Sequence, residues 1–596
     1  MTLDAAIAVL RGVHLAAVLS VVGAAVTHAV LAPAALGPVD RSVRVRVLRH
    51  QATLLYASAA VALVTAAAWL AVQSASMADA ASIRDAFSAV PVVLADTVFG
   101  HAMTARVALL LLTVAAWRVR RLAAAFAVAS GAAEAWLGHA GASDTVTLPV
   151  SVIIHVTTAG AWLGGLIPLF LLIRDLPGRG ARVATMRFAS LGWFYVAAMA
   201  ATAFVQAWLL IGSLPGLIGT GYGQVALLKL ALFIVLLGLA ALNRYRLSLK
   251  VSSRPSPFLT SILIETGVGL CAVLAAAQLS EMWPATHEQP NWPFAWQPTL
   301  APLADPDLGS EARLAIGLLA AALLAIIVAV AWRRLRWVAV AAACGCLVFA
   351  WPHLDLFAVT AYPTSFYHSP TGFAADSIAR GEALFGPNCA ACHGAGGRGD
   401  GPLAKTLPIP PADLTADHIW DHPDGELFWW LTHGIENPEG GLAMPGFPQL
   451  SDDDRWALID FVHANAAGAE MDAIGHWPFP VQAPGLTASC ADGGTVTDAD
   501  LRGRSWRIVA GDRAPPSPMP TVLLTRHPVP AACVASDPAA WLAASVVSGV
   551  ATEAFAGTQL LVDASGWLRD RALPGASLDL AAAARPLPAP TGMHHH

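Results

Sequence analysis

The stretch Asn388–Gly394, NCAACHG, decides how the C-terminal half of this chain folds. C-x-x-C-H sets two thiols about one helical turn apart with an imidazole beside the second, the spacing at which a c-type haem is attached through two thioethers. Cys389 and Cys392 would hold the macrocycle and His393 would supply the proximal nitrogen. A metal site or a disulfide from the same two cysteines is the competing reading. Upstream, SIARGEALFGPN reads as a helix with Gly381 and Phe385 four apart. Downstream, SDDDRWALIDFVHAN reads as another. Ser451 suits its N-cap, Asp452 to Asp454 suit its positive dipole end, and Trp456, Ile459 and Phe461 supply apolar packing. A glycine on one helix lets an aromatic ring of the other come close.

The sixth iron ligand should come from between these helices. Met444, in LAMPGFP, lies 51 residues after His393, and Pro445 keeps it extended. A thioether ligand raises haem potential. His433, in LTHGIE, is the rival; His418, His422 and His463 read as surface or supporting residues, and Asp400 and Lys405 as solvated surface. Taken together, residues 371–468 resemble a class I cytochrome c. The resemblance implies one-electron transfer by a low-spin haem with no open iron position.

The rest of the chain differs in kind. Of 596 residues, 56% are hydrophobic and 13% charged, against about 25% charged in an average soluble domain. The apolar excess ends near Trp351, where the chain turns polar and rich in Pro, Gly and Asp. A net charge of -5 and the lack of a basic arm point away from nucleic acid. A spanning helix needs about 20 mostly apolar residues. Ten candidates fit: 3–32, 47–75, 98–118, 121–140, 147–173, 185–212, 223–246, 258–281, 311–332 and 336–352. The first lacks a positive n-region and an A-x-A site, so it reads as an uncleaved span. Arg clusters fill every odd loop, at Arg41–Arg49, Arg118–Arg121, Arg174–Arg182, Arg244–Arg254 and Arg333–Arg336. GHAGASD and GSLPGLIGTGYG carry no Lys or Arg. By the positive-inside rule the odd loops are cytoplasmic. Both termini and NCAACHG then lie outside, on the periplasmic side of a bacterial inner membrane, where c-type haem is attached.

Polar residues inside spans are costly and mark function. Arg11, His14, His101, Met103, Arg106, Glu134, His139, His155 and Lys229 gather toward the outer half; His28 and His50 lie near the inner side. Imidazole and thioether suit copper, and soft ligands select the cuprous ion. His14, His101, Met103, His139 and His155 are therefore candidate copper ligands. The alternative takes His101 and His139 as helix-end residues in interface water, and His14 and His155 as buried histidines bonded to neighbouring helices. In HVTTAGAWLGGLIPLF, Gly160 and Gly164 form a small-xxx-small face for close helix packing.

That stretch, with RFASLGWF and TGYGQVALLKLALFIVLLGLAALNRYRL, resembles the copper resistance protein D family. The carrying pattern is Tyr222, Gly223, Leu228, Lys229, Leu230, Phe233, Asn243 and Arg244. The resemblance implies copper movement across, or copper tolerance at, the inner membrane; no Met-rich segment precedes the bundle.

After the haem segment, SWRIVAG, TVLLTRH and QLLVDASGWLRD alternate with DPAAWLAASVVSG, suggesting a small α/β domain that loosely resembles a thioredoxin-like fold, without a C-x-x-C motif. Cys490 and Cys533, 43 apart, suit a disulfide in an oxidising compartment; a copper site with His527, or two free thiols, are the alternatives. Cys271, Cys344 and Cys346 fall in apolar runs and read as small membrane residues. The expected fold is mainly α: a bundle over 1–282, a Trp/Pro-rich periplasmic loop 283–310, two further spans in 311–352, an all-α cytochrome c domain 371–468 and an α/β domain 485–585.

The expected function is copper transport or resistance with a haem c module serving a periplasmic or membrane electron-transfer partner, rather than a classical enzyme. One alternative is a quinol-oxidising enzyme with haem b in the bundle: His14 and His28 share a helix face about 21 Å apart, with His139 or His155 as outer partners and His50 as inner. The other is a bundle that merely anchors the cytochrome in the lipid bilayer.

Overall fold

In hydrocarbon every backbone polar group must be bonded within its own segment, so the long apolar runs become helices. The computed structural model describes residues 3–587 apart from 38, 81, 144, 177, 438–440, 528 and 530–532. His594 to His596 lie outside the described residues. The chain forms two units that divide between Pro290 and Asn291.

The first unit holds α1 (Leu3–Val26), α2 (Arg41–Met77), α3 (Ile83–Asp96), α4 (Val98–Ala115), α5 (Arg120–Ala132), α6 (Thr147–Trp162), α7 (Leu166–Asp175), α8 (Gly178–Leu210), α9 (Gly221–Leu242) and α10 (Ser256–Leu279). Among the described residues of the whole chain, nine helical segments are long and apolar enough to cross a membrane. The expected span at 121–140 is the exception. It forms α5 and then tightens into a 3-10 turn at Ala133–Trp136, where Glu134 is drawn to two arginines. The expected span at 147–173 is broken between α6 and α7 at residues 163–165. The stretch read as a loop after α2 contains α3, capped by Ser82 and carrying Pro91 within it. Its many exposed positions explain why apolar length alone does not reveal it.

The glycines of α6 do what their spacing implies. A Cβ on Gly160 would press into the Val22 side chain, and one on Gly164 would run into the Leu19 carbonyl. A Cβ on Gly23 of α1 would in turn strike the Gly164 backbone. The α1–α6 crossing is thus built on backbone-to-backbone approach, which dispersion rather than hydrophobicity stabilises in lipid.

In the second unit, α11 (Gly309–Ala331) and α12 (Arg336–Ala350) form a membrane hairpin. Ala312, Ala315, Ala322 and Ala329 of α11 are buried, as are Ala339, Ala343 and Ala350 of α12, so a seam of small residues lets the helices close on each other. Three helices follow: α13 (Ala375–Asn388), α14 (Asp424–His433) and α15 (Asp452–Ile474). Between α14 and α15 a hairpin pairs β1 (Gly434–Glu436) with β2 (Leu442–Pro445). The C-terminal segment adds β3 (Thr487–Cys490), β4 (Thr495–Thr497), β5 (Trp506–Ala510), β6 (Thr521–Leu524) and β7 (Cys533–Ala535), then α16 (Pro538–Ser548), β8 (Gln559–Val562) and β9 (Leu568–Ala572). They form one mixed sheet in the order β9-β8-β5-β6-β7-β3-β4, parallel only at β5–β6 and β6–β7. The parallel β5 and β6 are joined by residues 511–520, which contain no helix, unlike the usual helical crossover.

The cytochrome-like helices and this sheet share one core. Ile378, Phe385, Leu458 and Phe461 belong to the same buried cluster as Trp506, Ile508, Trp541 and Phe555. Gly468 of α15 meets α16 so closely that a Cβ there would strike the Val546 carbonyl. Cys490 is bonded to Cys533, its registered neighbour across β3 and β7.

Candidate haem and copper sites

The haem signature sits where α13 ends. The helix is held in place by its crossing with α15, where a Cβ on Gly381 would overlap the Ala457 carbonyl. Phe385 and Phe461 pack there with ring centroids 5.2 Å apart. Ser451 caps α15, as the sequence suggests, and also exchanges bonds with Asp454 in a capping box. Cys389, Cys392 and His393 then occupy one short helical turn. The loop beyond returns its backbone donors to that turn: Gly399 N to His393 O at 2.8 Å, Gly401 N to Cys392 O at 3.0 Å and Leu403 N to Ala391 O at 2.9 Å. Gly394, with φ +79, makes this reversal, and a Cβ there would strike Asp400.

These residues fit a covalent haem. His393 Nδ1 donates to the Ala412 carbonyl at 2.9 Å, which fixes the tautomer and leaves Nε2 with its lone pair for a metal. Cys389 and Cys392 are unbonded and half-buried. Met444 lies in β2 opposite Ile435. Gly434, at φ +85, opens that hairpin, and a Cβ on it would collide with the Met444 carbonyl. The rival His433 is stacked on Trp429 with centroids 3.7 Å apart. His418 is exposed and His422 half-buried, but His463 is buried: it stacks on Trp420 at 4.7 Å, and its Nδ1 lies 3.8 Å from Asp424. One turn earlier on α15, Asp460 is also buried and accepts from Thr371 Oγ1 at 2.6 Å. Burial pushes its carboxyl up to about 6.

In the first unit, charged residues from α1, α4 and the turn after α5 meet inside the bundle. Arg11 reaches Glu134 at 2.9 Å and Glu281 at 2.8 Å, and Arg106 reaches Glu134 at 2.8 Å. Arg106 also donates through Nε to the Ser130 carbonyl at 3.1 Å. Two cations thus face two anions, which is how charge survives in such surroundings.

The five copper candidates do not converge on one point. His14 is fully buried; its Nδ1 lies 3.0 Å from the Ala62 carbonyl and 3.1 Å from Thr65 Oγ1, and its Nε2 has no partner. Its ring lies 5.6 Å from Trp69, in the packed cluster that includes Met103. His101 is exposed and bonded to the Ala95 carbonyl at 2.7 Å. His139 and His155 line a different cavity with Lys229, the former bonded to the Leu279 carbonyl at 3.3 Å. Among the described residues no three His, Cys, Asp or Glu side chains gather as a metal cage. Of the other two bundle histidines, His28 stacks on Trp117 at 4.0 Å and His50 binds Asp175 at 2.5 Å.

Sequence reading passed over Glu265. This residue is 2% exposed and accepts from Trp162 Nε1 at 3.2 Å and from Asn243 Nδ2 at 2.7 Å, tying α6, the end of α9 and α10 together. Its signal was there, an acid alone inside the apolar run SILIETGVGL.

Comparison with known proteins agrees with this division. Residues 1–149 match the family model "Copper resistance protein D-like, N-terminal domain", and 182–279 match "Copper resistance protein D". Residues 376–462 match "Cytochrome C oxidase, cbb3-type, subunit III". The chain is 31% identical over 291 residues to the inner membrane protein YebZ of Escherichia coli K12, covering 46% of this chain and 97% of that protein. It is 27% identical to the copper transport protein CutJ of Bacillus subtilis 168, over 27% of this chain and 30% of CutJ. It is 29% identical to the cbb3-type cytochrome c oxidase subunit CcoP of an Azospirillum species, over 24% of this chain and 51% of CcoP. No solved structure matches. With its two membrane-domain models, its near-complete span of YebZ and its haem signature, the chain belongs to the copper resistance protein D family and carries in addition a cytochrome c domain that binds haem c.

Proposed function

We propose that this protein handles copper at a bacterial inner membrane and that its haem c module, on the periplasmic side, exchanges single electrons with the copper or with an electron-transfer partner. The orientation rests on the basic odd loops, with residues 120–142 counted as a crossing made by α5 and the 3-10 turns that follow it. The relatives are named as an inner membrane protein and a copper transport protein. The observation that carries the copper reading is His14: a fully buried imidazole whose Nδ1 is engaged and whose Nε2 is unpartnered, packed in the region of Trp69 and Met103. A buried polar atom without a partner costs about 1–3 kcal/mol. A cuprous ion bound between a neutral imidazole and a thioether removes that cost with ligands of the right softness. His101 and His139 would serve as outer stations of such a path, whereas His155, set beside Lys229, is left out of it. The chain's own part in the haem chemistry is to hold His393 in the ligating tautomer and to carry Met444 on the β1–β2 pairing; the haem, when bound, supplies the one-electron couple.

A haem b reading needs imidazoles free at both depths. At the inner depth His28 stacks on Trp117 with its Nδ1 unpartnered, but His50, its partner in that reading, is bonded to Asp175, so the copper reading is favoured. The test is cuprous-ion binding to the purified protein against a chromophoric chelator, with a pyridine haemochrome spectrum of the same sample. One haem c per chain, no haem b, and loss of one copper equivalent in His14→Ala and in Met103→Leu are expected. Unchanged copper stoichiometry in both variants refutes the site.

A further inference from the structure

A cavity of about 420 Å³ lies between α6, α8, α9 and α10. Its walls are mostly apolar, and Phe204 and Leu230 at its rim are 70% and 50% exposed, so it opens sideways toward lipid rather than along the bundle axis. That size is within the range that takes a drug-sized ligand. Its polar groups are few: His155, Gln206, Tyr222 and Lys229.

Their hydrogen-bonding roles can be worked out. Thr202 Oγ1 donates its single hydrogen to the Ala198 carbonyl at 2.7 Å. It must therefore accept from His155 Nδ1, 2.9 Å away. His155 Nε2 then carries a lone pair and is an acceptor. Gln206 Nε2 donates to Ser151 Oγ, which donates to the Thr202 carbonyl, so the wall behind His155 is already satisfied. Lys229 offers only donors, and it has no hydrogen bond or ion pair among the described residues. No carboxylate lines this cavity; Glu134, on the adjoining one that shares these four polar groups, is already paired with Arg11 and Arg106.

The ligand must therefore present a donor to His155 Nε2 and an acceptor to Lys229, on a body that partitions into lipid. A copper ion satisfies the histidine but faces an uncompensated ammonium. A fatty-acid carboxylate satisfies the lysine but leaves Nε2 without a donor. A hydroquinone supplies both, since each ring hydroxyl is donor and acceptor, and its tail suits the apolar, laterally open part. We propose that this cavity is a binding site for a membrane quinol, with one hydroxyl donating to His155 Nε2 and a ring oxygen accepting from Lys229. A lipid-soluble reductant is also a chemically matched companion for a chain that carries a one-electron haem. The site stands apart from His14 and Met103, so it does not depend on the copper reading.

The test uses the full-length, haem-loaded protein in detergent, dialysed to equilibrium under anaerobic conditions against a decyl-chain benzoquinol, its quinone, laurate or cuprous ion. Saturable binding of one quinol per haem is expected, tighter than the quinone, which cannot donate to Nε2. His155→Ala and Lys229→Ala should each weaken it about tenfold, the loss of one hydrogen bond to or near a charged group, while Lys229→Arg retains most of it. Leu230→Trp, which narrows the mouth and leaves every polar group in place, should abolish binding even if the polar variants fold poorly. No saturable quinol binding, wild-type affinity in both alanine variants, undisturbed binding in Leu230→Trp, laurate binding more tightly than quinol, or copper displacing quinol at His155 would each overturn the proposal.

Discussion

Replacing Glu134 by Gln tests how the bundle carries its charge. The carboxylate lies between Arg11 at 2.9 Å and Arg106 at 2.8 Å, with Arg106 wholly buried. At an effective dielectric near 20, one such contact amounts to about 4 kcal/mol of attraction at about 4 Å between charge centres. Glutamine keeps the shape but removes the charge, leaving Arg106 without its carboxylate and Arg11 with Glu281 alone. Breaking a buried pair on one side costs about 3–5 kcal/mol, because the abandoned charge stays buried. For a unit of this size that is roughly 6–15 °C in apparent melting temperature. The double variant Glu134→Gln with Arg106→Met removes the stranded charge and should recover at least half of the loss. Thermal unfolding in one detergent, with four proteins completing the cycle, provides the measurement. A Glu134→Gln protein within about 1 °C of wild type, or a double variant no better than the single, would refute the view that this cluster is electrostatically closed.

Three further outcomes follow from the second unit. Met444→Ala should open the sixth iron position, so that the ferrous protein binds carbon monoxide where the wild type does not; an unchanged spectrum would reassign that ligand. Asp460 has its folded-state pKa near 6, above the unfolded value of about 3.9. The folded state therefore binds more protons between those values, and stability falls as pH rises from about 4 to 6, then levels off. Asp460→Asn should flatten that slope and gain on the order of 1–2 kcal/mol at neutral pH, part of the roughly 3 kcal/mol the shift represents being returned in weakened bonds from Thr371. Denaturant titrations at several pH values decide it. Paired Cys490→Ser and Cys533→Ser changes reopen a loop of 43 residues and should cost about 4 kcal/mol by loop entropy, read in the same titrations under non-reducing conditions.

Much of this architecture is legible in local sequence. NCAACHG, the Ser451 N-cap and the Gly381–Phe385 spacing each depend on residues within a few turns, and each is found where its pattern placed it. Helix α3 and the break after α5 were not legible. The first is short and largely exposed, and the second is set by arginines far away in sequence. The same limit applies to the copper candidates: composition made five soft ligands look alike, whereas packing separates a buried His14 with an unpartnered Nε2 from an exposed His101 and from His139 and His155 in a cavity with a lysine.

By itself, the sequence determined the division of the chain, a membrane bundle followed by a haem c module, because apolar length and covalent-attachment spacing are properties of contiguous residues. Only the tertiary structure decided which imidazole nitrogens are free, that the haem helices and the C-terminal sheet share one core, and that Lys229 lines one cavity with His155. These depend on which remote backbone carbonyls and hydroxyls arrive beside a side chain, and no local pattern encodes that.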